Sequence, residues 1–220
     1  MNRFLIIGFF LMLGTSNSQA QHNELSDFIP DGYVIFEKYF GDLNKDEQDD
    51  CVVIIKNTDK KNRVINRFDK KVDRNRRGVI ILLKKENSYH LASKNHNCFS
   101  SENEDGGVYF APELWIDFNR GNLIIHYSHG RYGFWKYIFR FQDSAFRLIG
   151  YDSSSNHGPV INRETSINFL TKKKLIRENT NENAEGGDET FIETWYNIEI
   201  DSLIKLSEIK DFDEIDMYIY

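Results

Sequence analysis

Asp42, Asn44, Asp46, Gln48 and Asp50 stand at every second position of GDLNKDEQDDCVVIIK, residues 41–56, and the chain then turns apolar. Calcium takes roughly six to eight oxygens, and a short loop supplies them by presenting alternate side chains inward, with a main-chain carbonyl at the seventh position. With Asp42 as the first position, Asp42, Asn44, Asp46 and Asp50 offer side-chain oxygen and Gln48 offers its carbonyl. An acidic hairpin turn, whose Asx side chains bond their own backbone, accounts for the same residues. An EF-hand does not. Its last ligand is a bidentate Glu and its loop opens a helix, whereas here Val53 stands at that position and CVVIIK follows.

Other clusters could carry chemistry. SENEDGGVYF (101–110) and NENAEGGDETF (181–191) each place Glu-Asn two residues before Gly-Gly. Glu102, Glu104 or Asp105 could serve as acid or base in a hydrolase, or the loops are solvated turns that keep a sheet edge soluble. His126 and His129 would need a third ligand to hold zinc, and on a strand residues three apart face opposite sides. A buried or turn-capping histidine explains them equally. Tyr132, Phe134 and Trp135 beside Arg131 offer flat faces to a sugar ring. Residues 59–78 hold nine Lys/Arg against three Asp, which reads as an anion-binding patch or as a long mobile connection. Only Phe68 could stack on a base there, which counts against nucleic acid as a partner. G-x-S-x-G, H-E-x-x-H, P-loop and G-x-G-x-x-G motifs are absent from the sequence.

The elements that must position these residues are strands. GYVIFEKYF (32–40), DCVVIIK (50–56), GVIILLKK (78–85) and SYHLAS (88–93) open the series, and ELWIDF, LIIHYS, FWKYIFRFQ and FRLIGYD form a meander through the turns NRGN, HGRYG and DSA. Trp135, Tyr137, Phe139 and Phe141 alternate onto one face, as in a half-buried antiparallel strand. SINFLT and KLIREN read as a further hairpin and ETFIETWYNIEI (189–200) as a long last strand. Helix is confined to NELSDFI and a turn or two within LIKLSEIKDF. The expected fold is a single mainly β domain over residues 21–220, an antiparallel meander or sandwich, possible also as a propeller fragment.

Residues 1–20 read as a signal peptide: Arg3, the apolar run FLIIGFFLML, and small residues at Ser18 and Ala20 before the cut. Ten apolar residues are half of the roughly 20 that span a bilayer, so no transmembrane segment is expected in the mature chain. Removing Arg3 shifts the net charge from −6 to −7, an acidic balance that also speaks against nucleic acid. Cys51 and Cys98 are the only cysteines, and an oxidising compartment favours a disulfide that would be worth about 4 kcal/mol; two buried thiols are the alternative.

The loop at 42–50 resembles the D-x-N-x-D-G-x-x-D calcium loop of FG-GAP and VCBS-like, integrin-type repeats, departing from it at Glu47, where that pattern has Gly. Glu in a positive-φ position costs about 1 kcal/mol. The segments FIPDGYVIF, GDLNKDEQDDCVVIIK and FRFQDSAFRLIGYD are likewise similar to small exported β proteins with one such loop. The resemblance implies a calcium-pinned turn in an exported β protein. The function expected on this basis is non-enzymatic binding of a protein or glycan partner. A periplasmic inhibitor or immunity-type protein against a toxin or hydrolase is the first alternative, and a hydrolase built on the Gly-Gly loops the second.

Overall fold

The computed structural model describes residues 24–105 and 111–220. The expected signal peptide and the start of the mature chain at Gln21 lie outside the described residues, as do Gly106 and Gly107 of the first acidic loop.

The fold is mainly β, as the alternation predicts. β1 (Tyr33–Gly41), β2 (Asp50–Asn57), β5 (Arg77–Lys85) and β6 (Ser88–Phe99) form a four-stranded antiparallel sheet in the order β1-β2-β5-β6. β7 (Glu113–Asn119), β8 (Asn122–Ser128), β9 (Gly133–Gln142), β10 (Ala145–His157), β11 (Val160–Asn168), β12 (Lys173–Asn179) and β13 (Phe191–Asn197) run as one seven-stranded meander. Between β2 and β5 the stretch expected as a mobile connection holds a short hairpin, β3 (Arg63–Ile65) with β4 (Lys71–Asp73). The two expected helical segments are single 3-10 turns, at Leu25–Phe28 and at Leu206–Glu208 with Phe212–Glu214.

Turn chemistry sets the registers. Arg120 and Gly121 between β7 and β8 have φ of 52° and 75°, and Asp143 and Ser144 between β9 and β10 have 50° and 57°. Both central residues with positive φ make the two-residue turn whose twist matches paired strands. β11 ends three residues before the expected SINFLT boundary, because the Asn168 side chain accepts from Leu170 N–H and Thr171 N–H and turns the chain.

The two sheets share one core. Val52, Ile54, Val79, Ile81 and Phe99 meet Leu123, Ile125, Tyr137, Phe139 and Leu148. Each fully buried aliphatic side chain there stabilises the fold by about 1.5–3 kcal/mol. The opposite face of β2 and β5 is covered as well, since Leu25, Phe28 and Ile29 pack on Val53, Ile55 and Ile80. Double burial explains why CVVII and GVIILL are unbroken apolar runs rather than alternating ones. Residues 198–220 then cross from one sheet to the other as a strap. Leu148 N–H donates to Ile204 C=O, the Asn95 amide donates to the carbonyls of Leu206 and Ile209, and Leu206, Phe212 and Met217 are buried in the shared core.

The strands also correct the expected disulfide. Cys51 and Cys98 are free thiols, both fully buried. Cys51 packs on the outward face of the four-stranded sheet and Cys98 on the core face, two strands away. Cys51 pairs with Leu82 while Cys98 lies beside Phe99, the partner of Arg77, so the two are also offset by about 13 Å along the strands. A disulfide needs Cα atoms within about 7 Å. Burial pushes the Cys51 thiol up to about 11 and the Cys98 thiol higher still, so each carries little thiolate at neutral pH. Iodoacetamide at pH 8 is expected to modify neither cysteine in the native protein and both in 6 M guanidinium without reductant, read by intact mass; an unfolded chain that resists alkylation until reduced would restore the disulfide.

Candidate ligand cavity between the sheets

The loop at 42–50 is drawn together by hydrogen bonds. The Asp42 carboxylate accepts from the N–H groups of Lys45, Asp46 and Glu47 at 2.6, 3.2 and 3.1 Å. Asn44 Oδ1 accepts from Asp46 N–H, and Asp46 Oδ1 from Gln48 N–H. Glu47 takes φ of 65°, the conformation for which the calcium-loop pattern uses Gly. Asp50 stands apart. It is fully buried, and its two oxygens accept from Leu43 N–H and Lys84 N–H, each at 2.8 Å, tying the loop to β5. Burial raises the Asp50 carboxyl above the usual range, against the pull of those two bonds. Among the described residues, no group of three or more His, Cys, Asp or Glu side chains is disposed to hold a metal ion. The fit to calcium is thus partial: Asp42, Asn44, Asp46 and the Gln48 carbonyl are within one turn, and Asp42 Oδ2, Asn44 Oδ1 and both Asp46 oxygens accept one hydrogen bond each and keep a lone pair, whereas Asp42 Oδ1 already accepts two and Asp50 is buried away from the turn.

The first acidic loop and the basic stretch compensate each other. Lys56, buried in β2, pairs with Glu102. Arg74 reaches Asp105 at 2.7 Å and Glu104 at 3.9 Å, Arg67 lies 3.9 Å from Asp105, and Arg77 lies 3.9 Å from Glu102. Arg67, Arg74 and Arg77 of the basic stretch are therefore engaged inside the molecule by the following loop. The second loop closes on itself. Asp188 accepts from the N–H groups of Glu185 and Gly186, and Glu189 from those of Gly187 and Ile161, bonds that hold the Glu189 carboxyl below the usual range. It makes a turn, as the second of the two readings has it.

The structure separates the other sequence candidates. His126 lies on the outer face of β8 between Trp115, 3.8 Å between ring centroids, and Phe134, at 5.3 Å. Burial lowers its basicity. His129 precedes the turn at Gly130–Tyr132 and packs on Tyr132. Phe134 faces outward with Lys136 over its ring, whereas Trp135 turns to the core, so Tyr132, Phe134 and Trp135 do not form one platform.

A cavity of about 500 Å³ opens where the strap crosses the seven-stranded sheet. Its floor is the core-facing side of β8, β9 and β10. Tyr127 and Trp135 are register partners and stack at 5.5 Å with planes 12° apart; Tyr137 and Tyr151 are partners on the next rung, 5.3 Å apart. Phe212 covers it from the strap with the exposed Tyr218 at its rim, and the Tyr137 hydroxyl donates to Phe212 C=O at 3.2 Å. Glu104 and Asp105 enter from the loop after β6, and Asp213 from the strap. Tyr127 is 2% exposed, yet its hydroxyl has no hydrogen-bond partner among the described residues. A buried phenol ordinarily finds one, and an unsatisfied one costs about 1–3 kcal/mol. Burial holds the phenols of Tyr127, Tyr137 and Tyr151 neutral by raising them above their ordinary value.

Sequence reasoning did not single out this cavity. HYSHGRYGFWKYIF and the acid-aromatic alternation of FDEIDMYIY hold most of its residues, and that combination was the available signal. No helix among the described residues is long and apolar enough to cross a membrane. Comparison with protein families, with curated proteins and with solved structures finds no match to the chain, so the functional reading rests on the geometry of the cavity.

Proposed function

We propose that this is an exported, non-enzymatic binding protein whose ligand sits in the aromatic cavity between sheet and strap. The observation that carries this reading is the cavity itself, about 500 Å³ and lined by Tyr127, Trp135, Tyr137, Tyr151, Phe212 and Tyr218 with Glu104, Asp105 and Asp213, large enough for a small molecule. The acids of the first Gly-Gly loop serve its architecture: Glu102 is held by Lys56, and Arg74 holds Glu104 and Asp105. Three carboxylates at one cavity do favour a hydrolase as the second reading. The test is a panel of sugars, amines, carboxylates and nucleosides, scored by thermal midpoint and by product formation. Binding of one class without turnover supports the proposal; turnover abolished by Glu104→Gln establishes the hydrolase instead, and a panel with no shift at all overturns both.

We further propose that the loop at 42–50 takes calcium weakly, through Asp42, Asn44, Asp46 and the Gln48 carbonyl, and pins the turn into β2. Extracellular calcium modules work at roughly 10⁻⁴ to 10⁻³ M. Calcium at 100 times its Kd would add about 2.7 kcal/mol. Glu47→Gly is expected to raise the midpoint and strengthen the calcium response by relieving the strain at φ of 65°, and Asp46→Ala to remove the response. Melts in chelator and in millimolar calcium check this. If wild type and Glu47→Gly both ignore calcium, the loop is an acidic turn.

A further inference from the structure

We infer that the ligand of the cavity is an organic ammonium ion, a methylated or primary amine carried by a small molecule or by a lysine-type side chain. The inference rests on the binding reading above and adds the chemical class. Six rings, Tyr127, Trp135, Tyr137, Tyr151, Phe212 and Tyr218, line the space. Among the described residues, the charged side chains in its lining are three carboxylates, Glu104, Asp105 and Asp213, with no Lys, Arg or His. Arg74 and Arg67 offset part of the charge of Glu104 and Asp105, whereas Asp213 has no ion-pair partner among the described residues. The charge lining the cavity is therefore net negative, and aromatic rings make up much of its wall.

That pairing suits one ligand class. Aromatic faces carry negative quadrupoles that attract a cation within about 6 Å, and a methylated ammonium also gains from burying its methyl groups. The protein's own Lys and Arg side chains that stack on rings do so elsewhere, over Phe36, Phe68, Tyr132, Phe134 and Phe191. Tyr127 is itself 2% exposed, so the surface a ligand meets belongs chiefly to the more open rings of Trp135, Tyr151 and Tyr218 and to the carboxylates. An anion would meet three carboxylates, and a neutral sugar would leave Asp213 without a counter-charge.

The experiment titrates the intact chain with choline, with its uncharged isostere 3,3-dimethylbutan-1-ol, and with a short peptide bearing one trimethyllysine, by calorimetry at low salt. Choline or the peptide is expected to bind at least tenfold more tightly than the isostere, and the tighter of the two identifies the source. Asp213→Asn and Tyr218→Ala, both exposed and so without consequence for folding, are expected to weaken binding about fivefold each. Equal binding of choline and its isostere overturns the ammonium class, as does cationic binding that both variants leave unchanged. A sugar or carboxylate that binds while the ammonium probes do not would overturn the class and leave the cavity reading standing; failure of every probe removes both.

Discussion

Gly133→Ala is expected to destabilise the protein by about 3–5 kcal/mol. Gly133 starts β9 with φ of 109° and ψ of −158°, a region that residues with a Cβ rarely adopt. An ideal Cβ there would lie 1.9 Å from the carbonyl oxygen of Ser154 on the neighbouring β10. That oxygen is main chain and cannot swing away, so β9 and β10 must part at the end that carries Trp135. Gly130, three residues earlier in the same turn, is the control: its φ is 53°, and nothing lies within 4 Å of its missing Cβ. Gly130→Ala is expected to cost only about 1 kcal/mol, the penalty of the left-handed conformation alone. Urea unfolding of both variants measures the difference. Equal losses at the two positions would show that conformational preference, and not the Ser154 carbonyl, restricts Gly133.

Lys56→Met is the second large effect, about 2–3 kcal/mol. Lys56 is 6% exposed, directly after the Val and Ile run at the centre of β2. Its ammonium is bonded to Glu102, donates to the Asp73 carbonyl at 3.3 Å and lies 5.6 Å from the Phe36 ring. Methionine keeps the volume and removes the charge, leaving Glu102 with Arg77 at 3.9 Å as its remaining cation. Glu102 is about a third exposed, which keeps the loss below that of a fully buried pair. Glu102→Gln alone leaves the lysine with the Asp73 carboxylate, 3.8 Å away, as its counter-charge and is expected to cost less, about 1–2 kcal/mol. The double variant should recover about 1–2 kcal/mol relative to the sum, the coupling that a double-mutant cycle isolates. Strict additivity would mean that the ammonium is held by the Asp73 carbonyl and solvent, and that the loop after β6 is anchored through Arg74 alone.

The strands were legible because their chemistry is local. In FWKYIFRFQ the rings at alternate positions reach the core while Lys136, Ile138 and Arg140 face away, as the pattern requires. β3 and β4 were not legible: each is three residues long, and Val64 against Val72 is the only apolar pair in a stretch dominated by charge. β6 was read too short, since Lys94–Asn97 is polar and two register shifts interrupt its pairing with β5. The disulfide was argued from the redox state of an exported compartment, which says nothing about which face of a sheet a thiol occupies. The acidic loop and the basic stretch could each be seen, but their mutual neutralisation depends on a fold that brings Arg74 to Asp105, 31 residues on. The cavity was hidden for the same reason. Tyr137 and Phe212 meet across 75 residues, and only the crossing of the strap turns a row of core-facing rings into a half-open cavity.

The strap also dictates when the two sheets are sealed together. During synthesis both sheets leave the ribosome before residues 198–220, so the nascent chain has every strand available while Leu206, Phe212 and Met217 are still missing from the seam between the sheets. Until they arrive, the rings of β8 and β9 face water along that seam, in a form open to chaperones and prone to self-association. A ligand that lodges against those rings would act as a late clamp on maturation, drawing in the last segment and shortening the interval in which the half-closed chain is exposed.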